Sequence, residues 1–201
     1  MTTTNRGVTA ATLAALALAT AGCSATEAAA PEPTSTAETA IDYLYYDLPE
    51  LVASADRIVE GTVVSTSSVT VYPTVEEGDD PLLNPMSDAT QEEREQARLE
   101  GAIAGTEVVI DVTATRKGDS DSRITLMQTG GVLDGVLYRS DSAPLLVEGE
   151  DYLLFLSEGD RPSTLGGGAG TYTVDDDEYL AMASHAPVER LSAEELDRLL
   201  G

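Results

Sequence analysis

Glu107–Arg116, which reads EVVIDVTATR, alternates its side chains strictly. Val108, Ile110, Val112 and Ala114 fall on one side, and Val109, Asp111, Thr113 and Thr115 on the other. A period of two with one apolar face is the pattern of a half-buried β-strand. Lys117-Gly118-Asp119 supplies a turn and Arg123–Gln128, RITLMQ, the next strand, so the pair reads as a hairpin-like unit. Upstream, Arg57–Ser65, RIVEGTVVS, is β-branched with Gly61 at its centre, which predicts a strand with a bulge or tight bend; Val69–Thr74 continues it after a break. Downstream, Tyr152–Ser157, YLLFLS, is an unbroken apolar run of strand length, as expected for a strand covered on both faces. Thr171–Val174 and Tyr179–Ala183 add two more strands. Gly130, Gly131, Asp134 and Gly135 mark a loop leading to a short strand near Val136–Tyr138.

Helices are few. Tyr45–Ala55 reads as a short one, with Asp47 as its cap, Pro49 in its first turn, and Leu48, Leu51 and Val52 on one face. The nearby cluster Tyr43, Tyr45 and Tyr46 invites a binding-platform reading, but the rings are expected to cover the edge of the core. Ala89–Ala104 is a charged helix with a poor apolar stripe, capped by Asp88 with Gln91 reaching back. It belongs to an acidic insertion spanning about 75–103. A C-terminal helix over about 192–200 carries a capping box, Ser192 with Glu195, and a Leu191–Leu196 staple. Strands in the majority and helices at the margins describe a mainly β domain, a small closed barrel or a sandwich.

The 201 residues hold 36 acidic and 11 basic side chains, a formal net charge of −25. A phosphate backbone is held by clustered Lys and Arg, so this balance argues against a nucleic-acid partner. One Cys and one His exclude an internal disulfide framework and a Cys/His zinc site.

The N-terminus reads as an address. Residues 1–7 carry Arg6 and the terminal amine, and residues 8–21, VTAATLAALALATA, carry no charge. This is a secretory signal pattern, too short to span a bilayer as a helix. The run ends in Ala19-Thr20-Ala21-Gly22-Cys23, which resembles the lipobox of bacterial lipoproteins, with Thr20 where an aliphatic residue is usual. The resemblance implies cleavage after residue 22 and lipid attachment at Cys23. The alternative is an ordinary signal cut at an A-x-A-like site, with Cys23 incidental. Lipid chains would tether residues 23–201 to the outer face of a cell membrane. That mature chain would hold 36 acidic against 10 basic residues. Residues 23–42, rich in Ala, Thr, Pro, Ser and Glu, read as a disordered tether, and 43–201 as the folded domain.

The order SADRIVEGTVVS (54–65), TEVVIDVTATRKGD (106–119), RITLMQTGG (123–131), LVEGEDYLLFLS (146–157) and GAGTYTV (168–174) resembles a domain type of secreted bacterial proteins. More distantly, it is similar to the netrin-like domain of tissue inhibitors of metalloproteinases. The resemblance implies an OB-like barrel of five to seven short strands. It does not imply inhibition: that family's disulfides are absent, and its free N-terminal Cys has no counterpart if Cys23 is acylated.

Chemistry is sparse. A Ser–His–Asp hydrolase would need His185 in a pocket with a serine and a carboxylate, whereas Ala183-Ser184-His185-Ala186-Pro187 reads as a turn before the last helix. Lys117, the only lysine, reads as a solvated turn residue and not as the base of a Ser–Lys pair. Gly166–Gly170, GGGAG, lacks the Lys-Ser/Thr of a phosphate loop and reads as a flexible connection. The acidic runs Glu76–Asp80, Asp119–Asp121 and Asp175–Glu178 match no EF-hand. Asp175, Asp176, Asp177 and Glu178 are the best placed for a weak calcium site. No cofactor and no small-molecule substrate is implied. The expectation is a non-enzymatic binding or accessory module of the cell envelope, with an envelope protein as partner. A protease-inhibitor-like domain and a small hydrolase are the alternatives.

Overall fold

A computed structural model describes residues 33–73, 84, 86–158 and 161–201. The expected signal peptide, Cys23, the first part of the tether and the Glu76–Asp80 run lie outside these residues. Those that are described belong to one compact unit. The architecture is mainly β.

The spine is a long antiparallel hairpin, β2 (Arg57–Val71) against β3 (Ile103–Lys117), in register from Ile58↔Lys117 to Val71↔Ile103. β2 is one continuous strand, so the expected break before Val69 is absent. Register shifts fall at Ile58/Val59, Glu60/Gly61 and Val63/Ser65. Gly61 sits at one of them, as its sequence position predicts. A Cβ there would lie 2.6 Å from the Asp111 carbonyl oxygen, so only glycine permits the approach.

β4 (Arg123–Thr129) extends the hairpin on the β3 side, and β7 (Asp151–Ser157) pairs with β2 on the other. Between them in the chain lie β5 (Gly131–Leu133) and β6 (Val136–Arg139). The second edge of β7 is shared. Leu156 and Ser157 pair with β8 (Ser163–Thr164), and Tyr152–Leu154 pair with β9 (Thr171–Asp175). β10 (Glu178–Ala181) and β11 (Arg190–Ser192) follow β9, giving the order β11-β10-β9-β7-β2-β3-β4 with β8 as a branch. The ladders therefore trace an open path and not a closed ring. β8 pairs with β7 and not with β4; a backbone bond from Met127 N–H to the Pro162 carbonyl, at 2.9 Å, joins the β4 and β8 regions. The strands also exceed the expected count and length: eleven are described, two of them 15 residues long.

The two faces of β2 and β7 bury different cores. Val59, Val63, Tyr152, Leu154 and Leu156 join Val108, Ile110, Ile124, Leu126 and Leu146 on one side. Ile58, Leu153 and Phe155 join Tyr172, Tyr179 and Leu191 on the other. The YLLFLS run is thus covered on both faces, and each of Leu153, Leu154, Phe155 and Leu156 is fully buried.

The helices close the second core. α1 (Leu48–Ser54) starts at Asp47, whose carboxylate accepts from Glu50 N–H at 2.8 Å while Glu50 reaches back to Asp47 N–H. α3 (Ala193–Leu200) starts at Ser192, which accepts from Glu195 N–H at 3.2 Å. The helix between them, α2 (Gln91–Glu100), is shorter than expected, and its capping box is Thr90 with Glu93 instead of Asp88 with Gln91. Ile103 and Ala104, assigned to that helix from sequence, begin β3 instead.

The tether does not extend to residue 42. β1 (Ser35–Glu38) runs parallel to β6, and Glu38 pairs with Arg139 directly opposite at 2.7 Å. β5 and β6 form a hairpin over Asp134-Gly135, both at positive φ (52° and 77°), completing a small sheet in the order β1-β6-β5. Val132 N–H donates to Ser68 Oγ at 2.9 Å, fixing that sheet against the far end of β2.

Candidate functional site

Two cavities flank the segment that leads from β1 into α1. The larger, of about 540 Å³, lies between the small sheet and the start of β3. Ile41, Ala102, Ile103, Ala104, Gly130 and Leu133 give it apolar walls, and Thr39, Thr129, Tyr138, Arg139 and Ser140 place polar groups along it. The walls are held by backbone bonds: Thr39 N–H to the Arg139 carbonyl at 2.8 Å, and Gly130 N–H to the Ala104 carbonyl at 3.0 Å. Arg139 spends its charge on Glu38, so the cleft carries no unbalanced cation. A volume of this size, apolar with a few polar groups, is typical of a small-molecule site.

The smaller cavity, of about 280 Å³, is bordered by Ile41, Asp42, Tyr43, Tyr45, Asp141, Ser142, Ser184 and His185. The Tyr43 and His185 rings are parallel within 7° at 6.4 Å between centroids, and Tyr45 stands edge-on to His185 at 6.2 Å. Burial pushes the Tyr43 hydroxyl above its ordinary pKa, opposed by a hydrogen bond with Thr129, a residue of the larger cleft. Of the three tyrosines expected to cover the core edge, Tyr46 packs against the core, Tyr43 is half-buried, and Tyr45 is 82% exposed.

This cavity gathers the residue types a hydrolase would need, but it does not connect them. His185 Nε2 lies 3.0 Å from the Gly166 carbonyl, which can only accept, so Nε2 carries the proton. Ser142 Oγ donates to the Ile41 carbonyl at 2.9 Å and shares a hydrogen bond with Ser140 Oγ. Neither Ser142 nor Ser184 is hydrogen-bonded to the imidazole.

Other sequence candidates resolve differently. Lys117 is not a free turn lysine: its ammonium donates to the carbonyls of Val52 (2.7 Å) and Ala53 (2.9 Å), closing the C-terminal turn of α1. GGGAG is not a flexible connection. Gly167–Gly170 forms one buried 3-10 turn, and a Cβ on Gly168 would lie 2.5 Å from the Ala183 side chain. The calcium reading of Asp175–Glu178 finds no support, because these acids are strung around the tight β9–β10 turn and Glu178 is engaged by Arg190. Among the described residues no three His, Cys, Asp or Glu side chains are grouped to hold a metal. Nor is any described helix long and apolar enough to cross a membrane.

A third cluster has a structural role. Arg116 bridges Glu60 at 2.7 Å and Tyr179 at 3.2 Å, and Tyr179 donates to the same Glu60 carboxylate. Burial, followed by the Glu60 hydrogen bond and charge, pushes Tyr179 up to about 12, with Arg116 opposing.

No protein-family model matches the chain. No curated protein matches it in sequence either. The class the residues define is therefore the coarse one: a mainly β domain with a preformed apolar cleft.

Proposed function

We propose that the protein is a lipid-anchored, extracytoplasmic binding module of the cell envelope, whose ligand site is the apolar cleft beside β3. The cleft of about 540 Å³ is the observation that carries the binding reading. Its ligand is a small, largely apolar and uncharged group, since the walls offer no free cation and the chain's net charge of −25 disfavours anions. The anchor rests on sequence: the single thiol of the chain follows Ala21-Gly22 at the end of an uncharged run.

The barrel belongs to the same proposal. β7, β2, β3 and β4 enclose one apolar core, and the Met127–Pro162 bond together with the β7–β8 ladder supports closure of an OB-like ring through β8. Inhibition of a protease gains no specific support.

Two measurements test the proposal. Mass spectrometry of the mature protein should find the N-terminus at Cys23 carrying diacylglycerol; an unmodified terminus elsewhere overturns the anchor. Nile red, a neutral solvatochromic probe, should bind the folded domain saturably and be displaced by filling the cleft with Ala102→Trp. Equal binding to that variant overturns the cleft as the site.

A further inference from the structure

We propose that the smaller cavity, between Asp42–Tyr45, Asp141 and His185, is a second binding site, for an organic ammonium ion. It depends on neither the apolar cleft nor the lipid anchor.

Aromatic rings and uncompensated acid meet there. Tyr43, Tyr45 and His185 border one space, two rings parallel and one perpendicular. Asp42 and Asp141 border it too, and among the described residues neither has a hydrogen-bonding or ion-pair partner. Some acids elsewhere are matched, with Glu38, Glu60, Asp111 and Glu178 each facing an arginine. No Lys or Arg lines this cavity. Aromatic faces attract cations through the ring quadrupole, and carboxylates add direct attraction. A bare metal ion would instead require a cage of oxygens, and no three carboxylates are grouped here to supply one. The space of about 280 Å³ suits an ammonium head with a few carbons.

The walls are preorganised. His185 is held on the Gly166 carbonyl, Ser142 Oγ on the Ile41 carbonyl, and Gly168 N–H on the Ser142 carbonyl at 2.9 Å. A ligand therefore need not order three separate segments of chain, which lowers the cost of binding.

His185 is the only histidine, so its ring C–H resonances report on this cavity without ambiguity. The folded protein is titrated with tetramethylammonium chloride and with butylammonium chloride at constant ionic strength, with sodium chloride as reference. A saturable shift is expected for at least one ammonium salt and none for sodium. Tighter binding of butylammonium would identify a lysine-like amine, and tighter binding of tetramethylammonium a choline-like head. Asp42→Asn should raise the dissociation constant about threefold, and adding Asp141→Asn about tenfold in total, as for charges at a partly solvated rim. Tyr45→Leu should also weaken binding, and because Tyr45 is exposed the fold should survive. A shift that never saturates, one that sodium reproduces, or a dissociation constant unchanged in the double Asn variant overturns the proposal.

Discussion

The Tyr43 ring lies so close to Gly167 that a Cβ on the glycine would fall 2.6 Å from two ring carbons. Gly167 also has φ +59°, in the left-handed region. Gly167→Ala therefore imposes two costs, backbone strain and displacement of the ring. Gly149→Ala separates them, because Gly149 has φ +84° and nothing within 4 Å of its missing Cβ. Left-handed strain alone costs about 1–2 kcal/mol, and overpacking about 1–3 kcal/mol more. Denaturant melts should show Gly167→Ala as the more destabilised by that second amount. Equal losses in the two variants would mean that the Tyr43 contact carries no packing energy.

Glu60, Arg116 and Tyr179 tie β2, β3 and β10 together beside the second core. Arg116→Met removes the cation from a mostly buried carboxylate and should cost about 1–3 kcal/mol, below the figure for a fully buried pair because the arginine is partly solvated. The alkaline limb follows from linkage. Tyr179 and Tyr172 both titrate near 12 in the folded chain, the latter through burial, against an ordinary value of 10. Between those values the unfolded chain loses protons that the folded chain keeps. Their contribution to stability is complete below pH 10 and declines as the pH rises towards 12. Melting temperature should therefore fall across that window, and less steeply in Tyr179→Phe. An identical slope in the variant would separate Tyr179 from the alkaline transition.

Lys117 serves as the C-terminal closure of α1, donating to two carbonyls of the last turn. Lys117→Met keeps the aliphatic stem and removes the donors. The expected loss is about 1 kcal/mol, the scale of a helix-end charge with its hydrogen bonds. Lys117→Arg should recover most of it. Melts of the three proteins decide: a Met variant as stable as the parent would make the contact incidental.

What could be read from the sequence was local. Asp47 and Glu50 sit three residues apart, so the α1 cap needs no knowledge of the fold. YLLFLS has no polar face, so a strand of that length must be covered twice. Asp134-Gly135 between Val132-Leu133 and Val136-Leu137 is a local hairpin signal too, one that the loop reading of Gly130–Gly135 passes over: Gly131–Leu133 is a strand, and the turn joins it to β6. What could not be read was distant. Ser35–Glu38 has no apolar rhythm, and only β6, about 100 residues away, makes it a strand. Lys117 finds its acceptors 64 and 65 residues upstream. Glycines at 166–170 signal freedom and close approach equally well, and the neighbours Tyr43, Ser142 and Ala183 decide between them. The ammonium cavity is built from three such distant segments: Tyr43, Tyr45 and His185 stand out one by one, but nothing local joins them to each other or to Asp42 and Asp141.

Net charge sets the last expectation. With 36 acidic and 11 basic side chains, long-range repulsion opposes the compact state. Salt also weakens the attractive pairs, such as Arg98–Glu95, Arg123–Asp111, Arg139–Glu38 and Arg198–Glu194. These are largely exposed, and pairs of that kind contribute little at any ionic strength. Repulsion among the unmatched acids acts over distances longer than the Debye length of about 10 Å at 0.1 M salt, so screening removes more repulsion than attraction. Melting temperature should therefore rise by several degrees as sodium chloride increases from about 20 mM to about 500 mM, most steeply at the low end where the Debye length changes fastest. Calorimetry at fixed pH across that range measures it. A melting temperature that falls with salt would place the balance with the ion pairs and against the excess charge.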